Sequence, residues 1–175
     1  MSELCVQHLL RDHRTCEKTI AVLESLLEAK RDERHWSPAD SEAFAQVVRL
    51  FTEDVIQHIR KEEDVLLPAL ESFLPRDVGP LAVLRGEHAD VYTQFTRLRE
   101  AGDALASGSA DPKMWEVFQH SGRTMIQLVR DHIYKEDRVL FPMVARFLSP
   151  ERDVHLVKQM EAIGLDEAPG SGNAH

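Results

Sequence analysis

The sequence predicts an all-α protein: an up-down-up-down four-helix bundle with a short fifth helix at the C-terminal end. Three observations carry that expectation. Apolar residues recur at helical rather than alternating spacing, helix-start signals with proline recur along the chain, and the connections between the long helical stretches are short. The first helix is expected over 3–33, with Leu9, Leu10, Ile20, Leu23, Leu26 and Leu27 as its apolar face. It stops in the polar stretch that contains Arg31 and His35. Ser37 then reads as an N-cap, Pro38 as the first helical position and Asp40 as the partner in a capping box. The second helix runs over 38–68, kinks at Pro68 and continues to residue 74. Pro75, Gly79 and Pro80 mark a turn before a third helix over 81–105. Asp111 and Pro112 repeat the cap-and-proline start for a fourth helix over 112–147. Ser149 and Pro150 open the fifth, expected to end near Gly164. Residues 1–164 thus read as one bundle domain, and 165–175, small, polar and glycine-rich, as a disordered tail.

Composition narrows the function. The 175 residues carry a net charge of −9, which repels phosphate backbones and disfavours nucleic acid as a partner. The longest apolar runs, around Val65-Leu66-Leu67, fall far short of the ~20 residues a membrane span needs. Charges begin at Glu3 and no apolar leader segment follows, so the cytoplasm is the expected compartment. Cys5 and Cys16 lie on one expected helix about 16 Å apart by helical rise. That exceeds the reach of a disulfide, so both are expected to be free thiols.

The chain repeats itself. His58-Ile59-Arg60-Lys61-Glu62-Glu63-Asp64-Val65-Leu66-Leu67-Pro68 matches His132-Ile133-Tyr134-Lys135-Glu136-Asp137-Arg138-Val139-Leu140-Phe141-Pro142 at seven of eleven positions, offset by 74. His13 and His88 are offset by 75. The bundle is therefore two helical hairpins, each of the form His…His-x-x-x-Glu. Residues four apart share a helix face, so His58 pairs with Glu62 and His132 with Glu136. Counted from the helix ends at the base of the bundle, His13, His58, His88 and His132 all stand about 28–30 Å up by helical rise. Glu62 and Glu136 stand one turn higher. Two carboxylates buried side by side are costly without compensation, and cations would neutralise them while neutral imidazoles coordinate. Imidazole plus carboxylate without thiolate suits iron or manganese, with zinc a further candidate. The reading favoured is a dinuclear site with Glu62 and Glu136 as bridges; a mononuclear site or a metal-free polar network is the alternative.

These motifs resemble the hemerythrin-like, or HHE cation-binding, domain family. The resemblance rests on His13, His58-x-x-x-Glu62, His88 and His132-x-x-x-Glu136, with the Lys-Glu-Glu/Asp-x-x-Leu-x-Pro continuation after His58 and after His132. It covers about residues 4–148. It implies a four-helix bundle around two iron ions joined by a bridging oxygen, a centre that meets O₂, peroxide or nitric oxide. By the same resemblance, His13 and His58 would bind one iron, His88 and His132 the other, and Glu62 and Glu136 would bridge. The pattern departs from oxygen-carrying hemerythrins at one position. They have a second histidine one turn after the third-helix ligand, and this chain has Tyr92 there, with Glu17 at the equivalent place after His13. Both are expected to face inward, either as a core pair in which Tyr92 bonds Glu17, or lining the oxidant pocket or ligating a metal. One nitrogen fewer leaves more open coordination and favours redox chemistry over reversible carriage.

The remaining candidates are secondary. His8 is expected to be exposed, and His35, His120, His155 and His175 are read with it as non-ligands. Asp54 or Asp131 could orient an imidazole, and Glu63 and Asp137 are read as solvated or as supporting the ligands. Trp36 and Trp115 are read as packing residues near the base. Four functions follow in order: binding of a small oxidant for sensing, storage or detoxification; enzymatic turnover of peroxide or nitric oxide; iron handling, including iron–sulfur repair; and a metal-free helical interaction module. Relatives with the repair role carry an added N-terminal cysteine-bearing domain, and a first helix starting by residue 3 disfavours that version here.

Overall fold

The computed structural model describes residues 4–109 and 111–163. They form five helices: α1 (Leu4–Ala29), α2 (38–70), α3 (Pro80–Ala106), α4 (112–147) and α5 (Pro150–Ile163), with no strand among the described residues. The end expected at Gly164 and the tail from 165 lie outside them. Leu27, Phe44, Leu105 and Phe118, from alternate ends of α1 to α4, share one apolar cluster. Leu9, Leu70, Leu81 and Val144, from the opposite ends, share another. The four long helices therefore alternate in direction, as a bundle with short connections requires.

Local chemistry sets the helix starts. Ser37 Oγ accepts from the Asp40 amide at 3.3 Å while the Ser37 amide donates to Asp40 Oδ2 at 2.7 Å, closing the capping box before Pro38. Asp111 Oδ1 accepts from the Lys113 amide at 2.9 Å before Pro112. Gly79, with φ 73°, turns the chain into Pro80 in a conformation that L side chains rarely adopt. Two ends fall earlier than the periodicity suggests. α1 stops at Ala29 because Lys30 folds the chain back: its ammonium donates to the His35 carbonyl at 3.0 Å and pairs with Asp40 at 2.7 Å. α2 stops at Leu70, whose carbonyl accepts from both Phe73 and Leu74, since Leu74 precedes Pro75 and is pushed out of the helical region.

The kink expected at Pro68 takes the form of a widened π-helical turn. Glu62–Leu66 is π-helical, and the Leu67 amide bonds the Glu62 carbonyl five residues back. The same occurs in α4, where Glu136–Leu140 is π-helical and the Phe141 amide bonds the Glu136 carbonyl. Proline follows each turn, at 68 and 142. In a regular α-helix its ring would meet the carbonyl four residues earlier, and it has no N–H to offer. The wider turn relieves that clash and falls at the two inward glutamates. A third π segment, Phe51–Ile56, lies lower in α2.

The two apolar clusters are the lower and upper cores, and a polar layer separates them. The lower core joins all four long helices. The upper core adds Leu156 and Met160 of α5. Asp153 of α5 is buried, and its carboxylate accepts from the Leu4 amide at 2.7 Å and the Cys5 amide at 2.8 Å, satisfying two donors that the first turn of α1 leaves open. Both cysteines are buried and free, as the spacing predicts. Trp36 packs within 5.9 Å of both Phe44 and Trp115 in the lower core, the packing role expected for the two tryptophans.

Candidate metal centre

The polar layer brings together His13 from α1, His58 and Glu62 from α2, His88 from α3, and His132 and Glu136 from α4. Both glutamates are fully buried and the histidines are at most 4% exposed. Each Nε2 points inward. His13 Nε2 lies 3.0 Å from Glu136 Oε2, and His132 Nε2 lies 3.2 Å from the same oxygen. Glu62 faces both halves: Oε1 is 3.5 Å from His58 Nε2, while Oε2 is 3.3 Å from His88 Nε2 and 3.6 Å from His132 Nε2. His88 and His132 meet Nε2 to Nε2 at 3.1 Å. The donors form two overlapping groups with atoms within 4.8 Å of one another: His13, His58, Glu62 and Glu136, and Glu62, His88, His132 and Glu136. The glutamates belong to both.

The donor set fits a cation. His58 Nε2, both oxygens of Glu62 and Oε1 of Glu136 are buried without a hydrogen-bond partner. Buried polar groups are nearly always satisfied, and coordination satisfies these together. In the metal-free protein, protons do that work. Burial pulls His58 down, but the charge of Glu62, with Asp12 and Glu136, outweighs it and pushes the imidazole up to about 10. Burial likewise opposes the charge on His132, and Glu136, Glu62 and Glu87 raise it to about 12. Burial and the nearby Glu136 push Glu62 upward, yet His58, His132 and His88 hold it below the usual carboxylate value. Against the same burial, His132, His13 and His58 hold Glu136 well below it.

A second set of acids holds the outer nitrogens. His13 Nδ1 lies 2.8 Å from Asp137 Oδ1, His88 Nδ1 2.6 Å from Glu63 Oε1, and His132 Nδ1 3.0 Å from Glu87 Oε2. His58 Nδ1 faces Asp12 Oδ2 at 3.6 Å. An ionised carboxylate only accepts, so in the neutral imidazole the hydrogen sits on Nδ1 and the Nε2 lone pair is left for a metal. The arrangement is cyclic. α1 supplies Asp12 to His58 of α2, α2 supplies Glu63 to His88 of α3, α3 supplies Glu87 to His132 of α4, and α4 supplies Asp137 to His13 of α1. Cations brace three of these acids: Lys61 on Asp12 at 2.7 Å, Arg85 on Glu63, and Lys135 on Glu87.

Several expectations change here. Tyr92 and Glu17 do not face inward: Tyr92 is 38% exposed and Glu17 is exposed. The buried positions on α1 run Leu9, His13, Cys16, Ile20, and on α3 Leu84, His88, Val91, Phe95. This alternation of four and three residues places Cys16 and Val91 below the histidines and turns the fourth residue onto the flank. Asp54 and Asp131 do not orient imidazoles: Asp54 accepts from Thr19 Oγ1 at 2.5 Å, and Asp131 from Gln127 Nε2 at 2.8 Å. Glu63 and Asp137 take the supporting role. His8 is half-buried, 3.9 Å from Asp12, rather than exposed. Sequence reading missed Asp12, Glu87, Lys61, Arg85 and Lys135. The repeat carried a signal for four of them: Asp12 and Glu87 directly precede His13 and His88, and Lys61 and Lys135 directly precede Glu62 and Glu136.

Comparison with known proteins agrees with this geometry. The family model described as the hemerythrin HHE cation binding domain matches residues 5–156. The iron-sulfur cluster repair protein YtfE of Musicola paradisiaca (strain Ech703) is 28% identical over 103 residues, covering 58% of this chain and 46% of that protein. The protein of the same name from Dickeya chrysanthemi (strain Ech1591) is 23% identical over 147 residues, covering 83% of this chain and 66% of that protein. That from Enterobacter sp. (strain 638) is 25% identical over 122 residues, with 68% and 56% covered. The chain thus spans roughly half to two thirds of the length of these curated relatives. No described helix is long and apolar enough to cross a membrane. A bundle whose polar layer gathers His13, His58-x-x-x-Glu62, His88 and His132-x-x-x-Glu136, in a chain matched by the family model over nearly all its described length, belongs to the hemerythrin HHE cation-binding domain family.

Proposed function

We propose that this protein holds two iron ions in the polar layer and binds a small oxidant there: O₂, nitric oxide or peroxide. The observation that carries the reading is the sharing of Glu62 and Glu136 between two histidine pairs. In this reading His13 and His58 would hold one ion and His88 and His132 the other, with Glu62 and Glu136 available to both. Two irons so placed would supply electrons to a small oxidant. The protein's residues define the rest of the chemistry. Asp137, Glu63 and Glu87 keep the Nδ1 proton on three imidazoles and Asp12 faces the fourth, so that each Nε2 stays a ligand. The apolar cores above and below exclude water and strengthen every charge interaction between them.

The test begins with metal content in protein purified without added metal or chelator. About two irons per chain, lost together in Glu62→Ala or Glu136→Ala, support a bridged pair. A folded, helical protein with no stoichiometric metal overturns it and favours the interaction module. Peroxide consumed far beyond one equivalent per chain would move the reading from binding to enzymatic turnover.

The names of the relatives favour a second reading, iron handling toward iron–sulfur clusters. Transfer of iron from the loaded protein to a cluster-free iron–sulfur protein, ahead of transfer from free ferrous iron, would establish it; equal rates would remove it.

A further inference from the structure

The polar layer is closed to solvent, so an oxidant needs a way in. Between α3 and α4 lies a cavity of about 200 Å³ lined by Pro80, Val83, Leu84, Lys135, Val139 and Leu140. Its mouth is open: Val83 and Val139 are each 53% exposed. Leu84 and Leu140 are buried within the upper core. Leu84 stands four residues, one helical turn, before His88, and Leu140 stands one turn after Glu136. Lys135, beside Glu136, closes one wall and reaches Glu87, the acid that holds His132. The cavity therefore ends one helical turn short of His88 and Glu136, with Leu84 and Leu140 in its floor, and apart from the Lys135 head it offers no polar group.

We propose that this cavity is the entry port for a diatomic gas, O₂ or nitric oxide, and that it delivers the gas to the His88–His132 half of the centre. The proposal rests on the small-oxidant reading and narrows it. An apolar lining holds water weakly and takes up small apolar guests. O₂ and nitric oxide have few hydrogen bonds to lose there, whereas peroxide would forfeit several. The volume is below that of the pockets that hold larger organic ligands, which begin near ~300 Å³. Leu84 and Leu140 form the inner gate, so a diatomic passes by side-chain rotation without separation of the helices.

Two exposed or gate positions test this. Val83→Trp fills the mouth from a solvent-facing position, and Leu84→Ala widens the gate. Stopped-flow mixing of nitric oxide with the iron-loaded protein should show association slowed about tenfold in Val83→Trp and accelerated in Leu84→Ala, with iron content and the final nitrosyl spectrum unchanged. Association at the wild-type rate in both variants overturns the port and leaves the oxidant reading intact. Failure of the wild-type protein to bind nitric oxide or O₂ at all overturns both. Xenon gives a readout independent of iron. It should occupy the cavity of wild-type protein under pressure and be displaced in Val83→Trp, and a cavity that takes no xenon overturns the proposal.

Discussion

His58 and His132 sit among carboxylates in a place water does not reach, and a proton is the smallest cation that can balance them. His58 is pushed up to about 10 and His132 to about 12, so both carry a proton at neutral pH in the metal-free protein. A metal requires the neutral imidazole. Loading with ferrous iron at pH 7 should therefore release at least the protons of His58 and His132, read calorimetrically in two buffers of different ionisation enthalpy. The signs agree: because the pKa values are raised, protons compete more strongly as pH falls, and the release from His58 fades as pH rises through about 10. No proton release at pH 7 would contradict this account of the layer. At this scale, duplication made the inward groups legible, since a second copy of His-x-x-x-Glu exposes what one copy hides. Tyr92 and Glu17 were misplaced because a four-residue step, inward on α2 and α4 from His58 to Glu62 and His132 to Glu136, leads outward on α1 and α3. The orienting acids were sought on the helix of each histidine, where Asp54 and Asp131 lie, but they come from the neighbouring helix.

At the scale of the element, caps and prolines announce themselves and close approaches do not. Ser37-Pro38-x-Asp40 and Asp111-Pro112 name their helix starts from residue chemistry alone. The π turns at Glu62 and Glu136 were visible only as prolines at 68 and 142, because a widened turn depends on where a ring strikes a carbonyl. Glycine inside a helix is ordinarily a weak point, and Gly102 and Gly122 lie within α3 and α4. Gly102 instead makes room for the ring of Phe44, which a Cβ would overlap, and a Cβ on Gly122 would lie 2.7 Å from Leu27 Cδ1. Gly102→Ala should thus destabilise the protein by about 1–3 kcal/mol, although alanine is the better helix former. A lower urea midpoint at unchanged slope would show it, and a gain in stability would mean that Phe44 swings aside freely.

At the scale of the molecule, α5 ties the upper core together. Ser149 and Pro150 announced the helix, but nothing local indicated that Asp153 would bond the first amides of α1, 148 and 149 residues away in sequence. Asp153→Ala should cost about 1–2 kcal/mol, measured by thermal or urea unfolding. It should also wake a thiol. Burial, with the hydrogen bond and charge of Asp153, pushes Cys5 up to about 12, so little thiolate exists at pH 8. Iodoacetamide at pH 8 should leave Cys5 nearly untouched in the wild type and label it faster in Asp153→Ala; equal labelling would mean that the helix does not shield it.

The carboxylate-to-histidine contacts run from each long helix to the next in chain order, and the last returns from α4 to α1. Connecting segments join the first three pairs of neighbours covalently. Only the fourth contact, Asp137 on His13 together with Glu136 on the same ring, joins helices far apart in sequence. It does for this bundle what head-to-tail cyclisation does for a peptide, holding the first and fourth helices at a set separation without a bond in the backbone. A ligand that tightens this seam would lengthen the lifetime of the whole fold.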